Sequence, residues 1–286
     1  MAFKLLAPAK VNLSLKVLRR RADGYHEIDT VLQSIDLCDE ITIELTGAGL
    51  RLYAPPHLPA GEENLCYRAA QAYFVRARRR AQASIWLTKN VPVQAGLGGG
   101  SSNAAAVLLG LNQLHDSLLR PEELSEMAAT LGSDVPFFLT GGTARARGRG
   151  EQVEALSDGQ EWWLRIVMPP LGLSTQQVYA LWRPGREDVF PAELFFNDLE
   201  RSAHILMPEL HALYRLLALD GAARVLLCGS GSAVCGFFSS PPRGEWKLAS
   251  GHREFVARTI TRAQYREATT LRECESPHDP HQTRQL

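Results

Sequence analysis

Long apolar runs are missing from this 286-residue chain. None approaches the roughly eighteen residues that cross a bilayer, so no membrane span is expected. The opening residues, MAFKLLAPAK, lack the apolar stretch and small-residue cleavage site of a secretory signal. Cysteines are few. Cys38, Cys66, Cys228, Cys235 and Cys274 are odd in number and form no C-x-x-C pair. That argues against a disulfide framework and against a zinc ribbon. An excess of charge is missing too: 31 Lys and Arg balance 31 Asp and Glu. The chain as a whole is therefore not drawn to nucleic acid or to an anionic membrane, although a local basic patch is not excluded. Neither H-E-x-x-H nor G-x-S-x-G occurs, so neither a zinc protease helix nor a nucleophile elbow is present. What is there is ordinary for a globular protein: 45% hydrophobic and 22% charged residues. The length suits two lobes or one large domain with its own core. A reduced, cytoplasmic protein is the expectation.

Along the chain, Val11, Leu13, Leu15 and Val17 alternate with Lys10, Asn12, Ser14 and Lys16. This predicts a half-buried strand carrying Lys10, Asn12 and Ser14 side by side on its polar face. Asp23-Gly24 signals a turn. Strands are expected near 30–35, 41–45 and 83–89. Asn64 suits the N-cap of a helix running to about Arg80. A glycine-rich segment then leads into an Ala- and Leu-filled helix, expected to be capped by Ser or Asn. Pro121 opens a further helix that stops at Gly132. The polar stretch 150–160 reads as a loop between lobes. Beyond it come a strand at 162–168, helices at 174–182 and 208–220, and strands at 224–228, 233–238 and 255–260. After about Arg266 the tail is polar and contains Pro277 and Pro280, so disorder is expected there.

The sharpest chemical feature is AGLGGGSSNAA, Ala95–Ala105. Glycines let the backbone turn tightly and bring its amides close to a ligand. The helix start adds unpaired N–H groups and a positive dipole end, which together make a cradle for phosphates. No Lys-Ser/Thr follows the last glycine, so this is not a Walker A loop, and Ser101 breaks G-x-G-x-x-G. Asp134, in GSDVPFF, reads on the residues alone as a helix N-cap ahead of Pro136. A catalytic role would need a partner, and Lys10 is the candidate: an ammonium beside a carboxylate can stabilise a transferring phosphoryl group. CGSGSA, Cys228–Ala233, reads equally as a second phosphate nest or a plain β-turn. Tyr25 and His26 offer an aromatic ring and an imidazole after a turn. As an isolated pair they more commonly pack or face solvent. Arg76 and Arg78–Arg80 read as a solvated helix end, and Trp162-Trp163 as core.

Four motifs in this order resemble the GHMP kinase superfamily: PAKVNLSL (Pro8–Leu15), GLGGGSSNAA (Gly96–Ala105), GSDVPFF (Gly132–Phe138) and GSGSA (Gly229–Ala233). RADGYHEI after the first motif, and GGTARARGRGE (Gly141–Glu151), are similar to the members that act on 4-diphosphocytidyl-2-C-methyl-D-erythritol. The likeness is dense from Pro8 to Glu151. It is thinner beyond, where STQQVY (Ser174–Tyr179) and GSGSA anchor it. It implies an α+β fold of two lobes, 1–155 and 156–265, with the active site in the cleft between them and a tail at 266–286. It implies transfer of the ATP γ-phosphoryl group to the acceptor's 2-hydroxyl, a step of the non-mevalonate route to isoprenoids.

By the same resemblance, the ATP loop falls on Pro92, Val93, Gln94, Ala95, Gly96, Leu97, Gly98, Gly99, Gly100, Ser101 and Ser102. Lys10 and Asp134 are the implied catalytic pair, with Asn12 near the acceptor hydroxyl. His26 is expected to hydrogen-bond cytosine, Tyr25 and Tyr179 to stack on it, and Thr175 to line the cytidine pocket. Mg²⁺ is expected to ride mainly on the phosphates, with no protein metal site. The expected partner is the small-molecule substrate, without nucleic acid or membrane, in a monomer or weak homodimer. The GYH motif argues against homoserine or mevalonate as acceptor. Three stretches depart from the family pattern. Ser232 stands where Pro or Ala is usual, Ser239–His252 does not read as the expected helix, and the tail after Arg266 has no counterpart.

Overall fold

A computed structural model describes residues 1–47, 49–184 and 194–277. In chain order the elements are β1 (Ala2–Arg20), β2 (His26–Leu45), β3 (Leu50–Tyr53), α1 (Leu65–Arg76), β4 (Ala83–Thr88), α2 (Gly99–Leu114) and α3 (Pro121–Leu131). Next come α4 (Phe137–Thr140), β5 (Thr143–Gly148), β6 (Gln152–Ala155), β7 (Trp163–Met168), α5 (Thr175–Leu181) and β8 (Phe196–Asn197). The last are α6 (Glu200–Leu206), α7 (Leu210–Leu219), β9 (Arg224–Leu227), β10 (Val234–Phe238), β11 (Arg253–Arg258), α8 (Arg262–Ala268) and β12 (Arg272–Cys274).

Two sheets carry the molecule. The first has the order β12-β1-β2-β4-β3, with β5 on the other half of β2, β6 on β5, and β8 parallel to β1. The second is β11-β7-β10-β9, antiparallel throughout. Leu5, Ile41, Ile43 and Ile85 pack one core against α1 and α2, where Tyr73 and Leu108 are buried. Val11, Val31 and Ile35 meet Leu164, Ile166 and Phe237 in a second core, which joins the two sheets. Leu210, Leu213 and Leu217 of α7 cover the outer face of the second sheet. Each such buried side chain contributes roughly 1.5–3 kcal/mol of transfer free energy.

The long β1–β2 hairpin is the spine. Its odd-numbered apolar residues serve three different cores: Leu5 and Ala7 the first, Ala9, Val11 and Leu13 the second, Leu15 and Val17 a small one beside α5. The changes coincide with register shifts between Pro8 and Lys10 and between Asn12 and Ser14. An extra residue on one strand bends it and re-aims its side chains. The second shift also separates Ser14 from Lys10 and Asn12. Its hydroxyl accepts from the Val31 N–H at 3.2 Å instead of joining the expected polar face.

Other expectations shift in detail. The two strands expected at 30–35 and 41–45 are one strand, β2. Asn64 caps α1 by accepting from the Cys66 N–H, but the helix ends at Arg76. Helix α2 starts at Gly99, with Gly98 as its cap and no side chain capping it, so Ser101, Ser102 and Asn103 lie inside it. The stretch read as a loop at 150–160 contains β6, paired with β5. Residues 239–252 are non-helical, as they read. Residues 266–277, expected as the start of a disordered tail, are ordered instead. Part of α8 and all of β12 lie there, and β12 pairs with Ala2–Lys4 of β1. Residues 278–286 lie outside the described residues. No helix among the described residues is long and apolar enough to cross a membrane.

Candidate active site

The bend in β1 turns Lys10 and Asn12 to the floor of a cleft of about 1190 Å³. Lys10 is nearly buried, at 4% exposure. Its ammonium donates to Asn12 Oδ1 at 2.9 Å and stands 3.7 Å from Asp134 Oδ2. Asp134 lies in the turn between α3 and α4. The cap of α4 is Pro136, with no side-chain bond to the helix. The N-cap reading of Asp134 is therefore set aside: its carboxylate faces the lysine. Asn12 in turn donates to Thr30 Oγ1 at 2.8 Å.

Both glycine turns close on this pair. Gly96 and Gly98 have φ of 76° and 70°, backbone that side chains rarely adopt. A Cβ on Gly96 would lie 1.7 Å from the Cys228 carbonyl oxygen, and one on Gly98 2.8 Å from the Phe138 ring and 3.1 Å from Lys10 Cγ. Close approach thus demands glycine at both places. The Lys10 N–H donates to Leu97 O at 3.0 Å, which ties strand to loop. Cys228–Ala233 forms a tight turn between β9 and β10, with Gly231 N–H donating to Cys228 O at 2.8 Å. Gly229 and Ser230 of that turn line the cleft with Gly96 and Gly98.

The loop sorts into two groups. Val93, Gln94 and Gly100 are exposed, and Gly96, Gly98 and Ser101 half-buried. Pro92, Ala95, Leu97, Gly99 and Ser102 are buried. Ala95 and Leu97 pack in the inter-sheet core, and the Ser102 hydroxyl donates to Pro8 O at 2.7 Å. The Ala95, Leu97 and Ser102 side chains thus hold the loop against the core. The first turn of α2 has no side-chain cap, which leaves its N–H groups and positive dipole end available to an anion. Beneath it, buried Asp39 accepts from Lys89, from the Asn90 and Val91 N–H groups at 2.7 and 2.8 Å, and from Asn103 Nδ2 at 2.8 Å. Asp39 ties both ends of the loop together. Sequence reading missed Asp39, Lys89 and Asn103 because their role is visible only once β2, β4 and α2 meet.

At the other end of the cleft the hairpin tip presents Tyr25 and His26. An Asx-type bond from the Tyr25 N–H to Asp23 Oδ1, at 3.1 Å, fixes the turn. The His26 ring lies 5.0 Å from Tyr179 and 5.7 Å, edge-on, from Trp182. Tyr25 is half exposed, with the Arg149 guanidinium 5.0 Å over its ring. Thr175 shares a 2.8 Å hydroxyl bond with Ser230, joining α5 to the late glycine turn. Trp182 and Arg149 were missed. Trp182 follows Tyr179 by three residues and is the C-cap of α5, just past its last turn. Burial, then the charge of Arg20, lowers the His26 pKa, so the ring is neutral at pH 7 and can donate from one nitrogen and accept at the other. Burial raises the Tyr179 phenol well above its ordinary range, and the charge of Asp134 adds to this.

Among the cleft-lining residues, Lys10, Arg19, Arg20, Arg149 and Arg183 outnumber the carboxylates Asp23 and Asp134. In an electrically neutral chain this cleft carries more cations than carboxylates, which suits a polyphosphate. The GHMP kinases N terminal domain model matches residues 64–142, the stretch from the α1 cap through the glycine loop and Asp134. A solved homoserine kinase from Cytophaga hutchinsonii shares the fold, with a TM-score of 0.64 at 18% identity over 84% of this chain and 85% of that one. Fold and site together define a small-molecule kinase of the GHMP class. Within that class the matches are narrower. A 4-diphosphocytidyl-2-C-methyl-D-erythritol kinase of Geobacter metallireducens is 44% identical over 250 residues, 82% of this chain and 89% of its relative. The enzyme of the same name from Protochlamydia amoebophila is 38% identical over 94% of each chain. A crystal structure of 4-(cytidine 5'-diphospho)-2C-methyl-D-erythritol kinase superposes with a TM-score of 0.77, at 36% identity, over 90% of this chain and 98% of that one. The chain belongs to the 4-diphosphocytidyl-2-C-methyl-D-erythritol kinase family.

Proposed function

We propose that the cleft transfers the γ-phosphoryl group of ATP to the 2-hydroxyl of 4-diphosphocytidyl-2-C-methyl-D-erythritol, with Lys10 and Asp134 at the reacting atoms. The carrying observation is the 3.7 Å approach of Lys10 to Asp134 on the floor of a cationic cleft. In this reading Asp134 orients the acceptor hydroxyl and takes its proton. The hydroxyl oxygen attacks the γ-phosphorus in line, the bond to the bridging oxygen breaks, and ADP leaves. Lys10, anchored by Asn12, stabilises the charge spread over the transferring group. Asn12 contacts the acceptor hydroxyl. The residues of the 92–102 loop hold the triphosphate through backbone N–H groups at the start of α2. Magnesium would be carried mainly by the nucleotide's phosphates and would supply neutralisation of their charge.

The aromatic end takes the base. Tyr25 and Tyr179 supply stacking faces, and neutral His26 hydrogen-bonds the cytosine edge. Thr175 lines the same pocket with Ser230. Arg20 and Arg149 stand at this end, beside His26 and over Tyr25, and their charge favours the diphosphate that follows the base. The test is ADP release from Mg-ATP by the purified chain, with this acceptor against homoserine and mevalonate. Release is expected only with the cytidine compound. Asp134→Ala is expected to cut turnover by about 10²–10⁴-fold, the range for a lost acid–base group, while ATP binding holds. Wild-type rates in that variant would remove Asp134 from the chemistry.

A further inference from the structure

The polar chain beneath Lys10 has only one consistent direction. Lys10 Nζ is a donor with no acceptor capacity, and it points at Asn12 Oδ1 from 2.9 Å. The other side of the Asn12 amide, Nδ2, therefore faces Thr30 and donates to Oγ1 at 2.8 Å. Thr30 spends its own proton on the Ser14 carbonyl at 2.5 Å. Its oxygen can then only accept from Asn12. All four residues are buried, and the bonds follow one another without a gap.

The reason lies in the backbone. Between Asn12 and Ser14 the β1–β2 register slips by one residue. At the slip, side chains bond to the backbone: the Val31 N–H donates to the Ser14 hydroxyl, and the Thr30 hydroxyl donates to the Ser14 carbonyl. The Ser14 carbonyl, beside the bulge, fixes the hydroxyl rotor of Thr30, and that rotor fixes the amide of Asn12. If the Asn12 amide turned over, its NH₂ would confront the Lys10 ammonium, donor against donor. Thr30 is also among the residues lining the cleft, beside Lys10 and Asn12.

We infer that Thr30 is a positioning residue for phosphoryl transfer: it locks the Asn12 amide so that Oδ1 holds the Lys10 ammonium and Nδ2 keeps its second proton for the acceptor hydroxyl. This rests on the function proposed above. Thr30 contacts neither transferring atom and acts through Asn12. Valine keeps the shape of threonine and removes the hydroxyl, and serine keeps the hydroxyl and removes the methyl.

The experiment is a kinetic comparison of wild type, Thr30→Val, Thr30→Ser, Asn12→Ala and the Asn12→Ala/Thr30→Val double variant. Mg-ATP and 4-diphosphocytidyl-2-C-methyl-D-erythritol are the substrates, and thermal unfolding is recorded for each protein. Thr30→Val is expected to lower kcat on the order of tenfold, the scale of one lost hydrogen bond. KM for both substrates should stay within about twofold. Thr30→Ser should recover most of kcat. In the Asn12→Ala background Thr30→Val should change kcat no further, because the amide it orients is gone. Additive losses, or a Thr30→Ser variant as slow as Thr30→Val, would overturn the positioning role. So would full kcat in Thr30→Val alongside an active wild type, and in that case the proposed function would stand. A wild-type chain inert toward this acceptor would overturn both.

Discussion

At the scale of single residues, the division of labour follows from what each side chain has left to give. Lys10 is anchored by Asn12 and paired with Asp134, whereas Tyr25 spends little on the fold. The residue is 53% exposed, and its neighbours are the Arg149 guanidinium and the turn that Asp23 fixes. Tyr25→Ala is therefore expected to leave the unfolding midpoint nearly unchanged. Base–aromatic stacking is worth about 1–3 kcal/mol per base, or roughly 5- to 150-fold in affinity. Calorimetric titration should show that loss for the cytidine substrate and none for ATP. Equal weakening of both ligands would remove the stacking role. Of the residues named from sequence, Lys10, Asn12, Tyr25, His26, Asp134, Thr175 and Tyr179 line one cleft with Gly96 and Gly98, whereas the other nine residues of the 92–102 loop are not part of its lining. They were readable because each stood in a motif or an alternating strand. Thr30, Asp39 and Asn103 were not, because a buried hydroxyl, carboxylate or amide on a strand or helix looks the same whether it orients a neighbour or merely satisfies backbone.

At the scale of elements, periodicity showed where most strands and helices lie but could not show where they bend. The alternation from Lys10 to Val17 is unbroken in sequence, yet a register shift between Asn12 and Ser14 falls inside it, because a bulge leaves no mark on the polar–apolar pattern. Helices α4, α6 and α8 and strands β3, β5, β6, β8 and β12 were missed, all of them short elements whose place is set by their partners in the fold. Between α6 and α7 the structure holds a feature that periodicity also hides. His204 and His211 stack with ring centroids 3.9 Å apart, and Tyr214 lies 4.9 Å from His204. Burial, then the neighbouring His211, lowers the His204 pKa. A histidine held neutral in the fold takes up its proton more readily when unfolded. Folding therefore loses stability as pH falls below the ordinary imidazole value of about 6.5, and gains nothing above it. Urea midpoints at pH 7.5 and 5.5 should show this drop, and it should be smaller in His211→Gln, which removes the second ring's charge. An unchanged pH dependence in that variant would refute the pairing.

For the molecule as a whole, the two sheets share one core but are built differently. The first is closed by segments distant in sequence: β8 pairs with Ser14 and Leu15, and β12 pairs with Ala2–Lys4. The resemblance to the family is dense in the N-terminal half and thinner beyond Glu151, and the least typical stretch is Ser239–His252. The structure shows what replaces a helix there. Arg165 on β7 is fully buried, with Asp220 after α7 and Glu254 on β11 each 3.1 Å away. Its guanidinium also donates to the carbonyls of Arg243 and Gly244, at 3.0 and 2.7 Å, and lies 4.7 Å over the Trp246 ring. Glu254 binds the loop from the other side by accepting from the Trp246 N–H at 3.1 Å. One cation thus joins a central strand, the end of a helix, an edge strand and a loop that has no regular structure of its own. Breaking a buried ion cluster from one side leaves its carboxylates uncompensated, at about 3–5 kcal/mol. Arg165→Met should lose stability on that scale in urea denaturation. Lysine should recover only part of it, since an ammonium cannot serve two carboxylates and two carbonyls in one plane or stack on Trp246. Because Arg165 lies outside the cleft, residual folded protein should keep the wild-type KM for ATP. A fully stable Arg165→Met variant would mean that apolar packing, not the arginine, holds the Ser239–His252 loop to the second sheet.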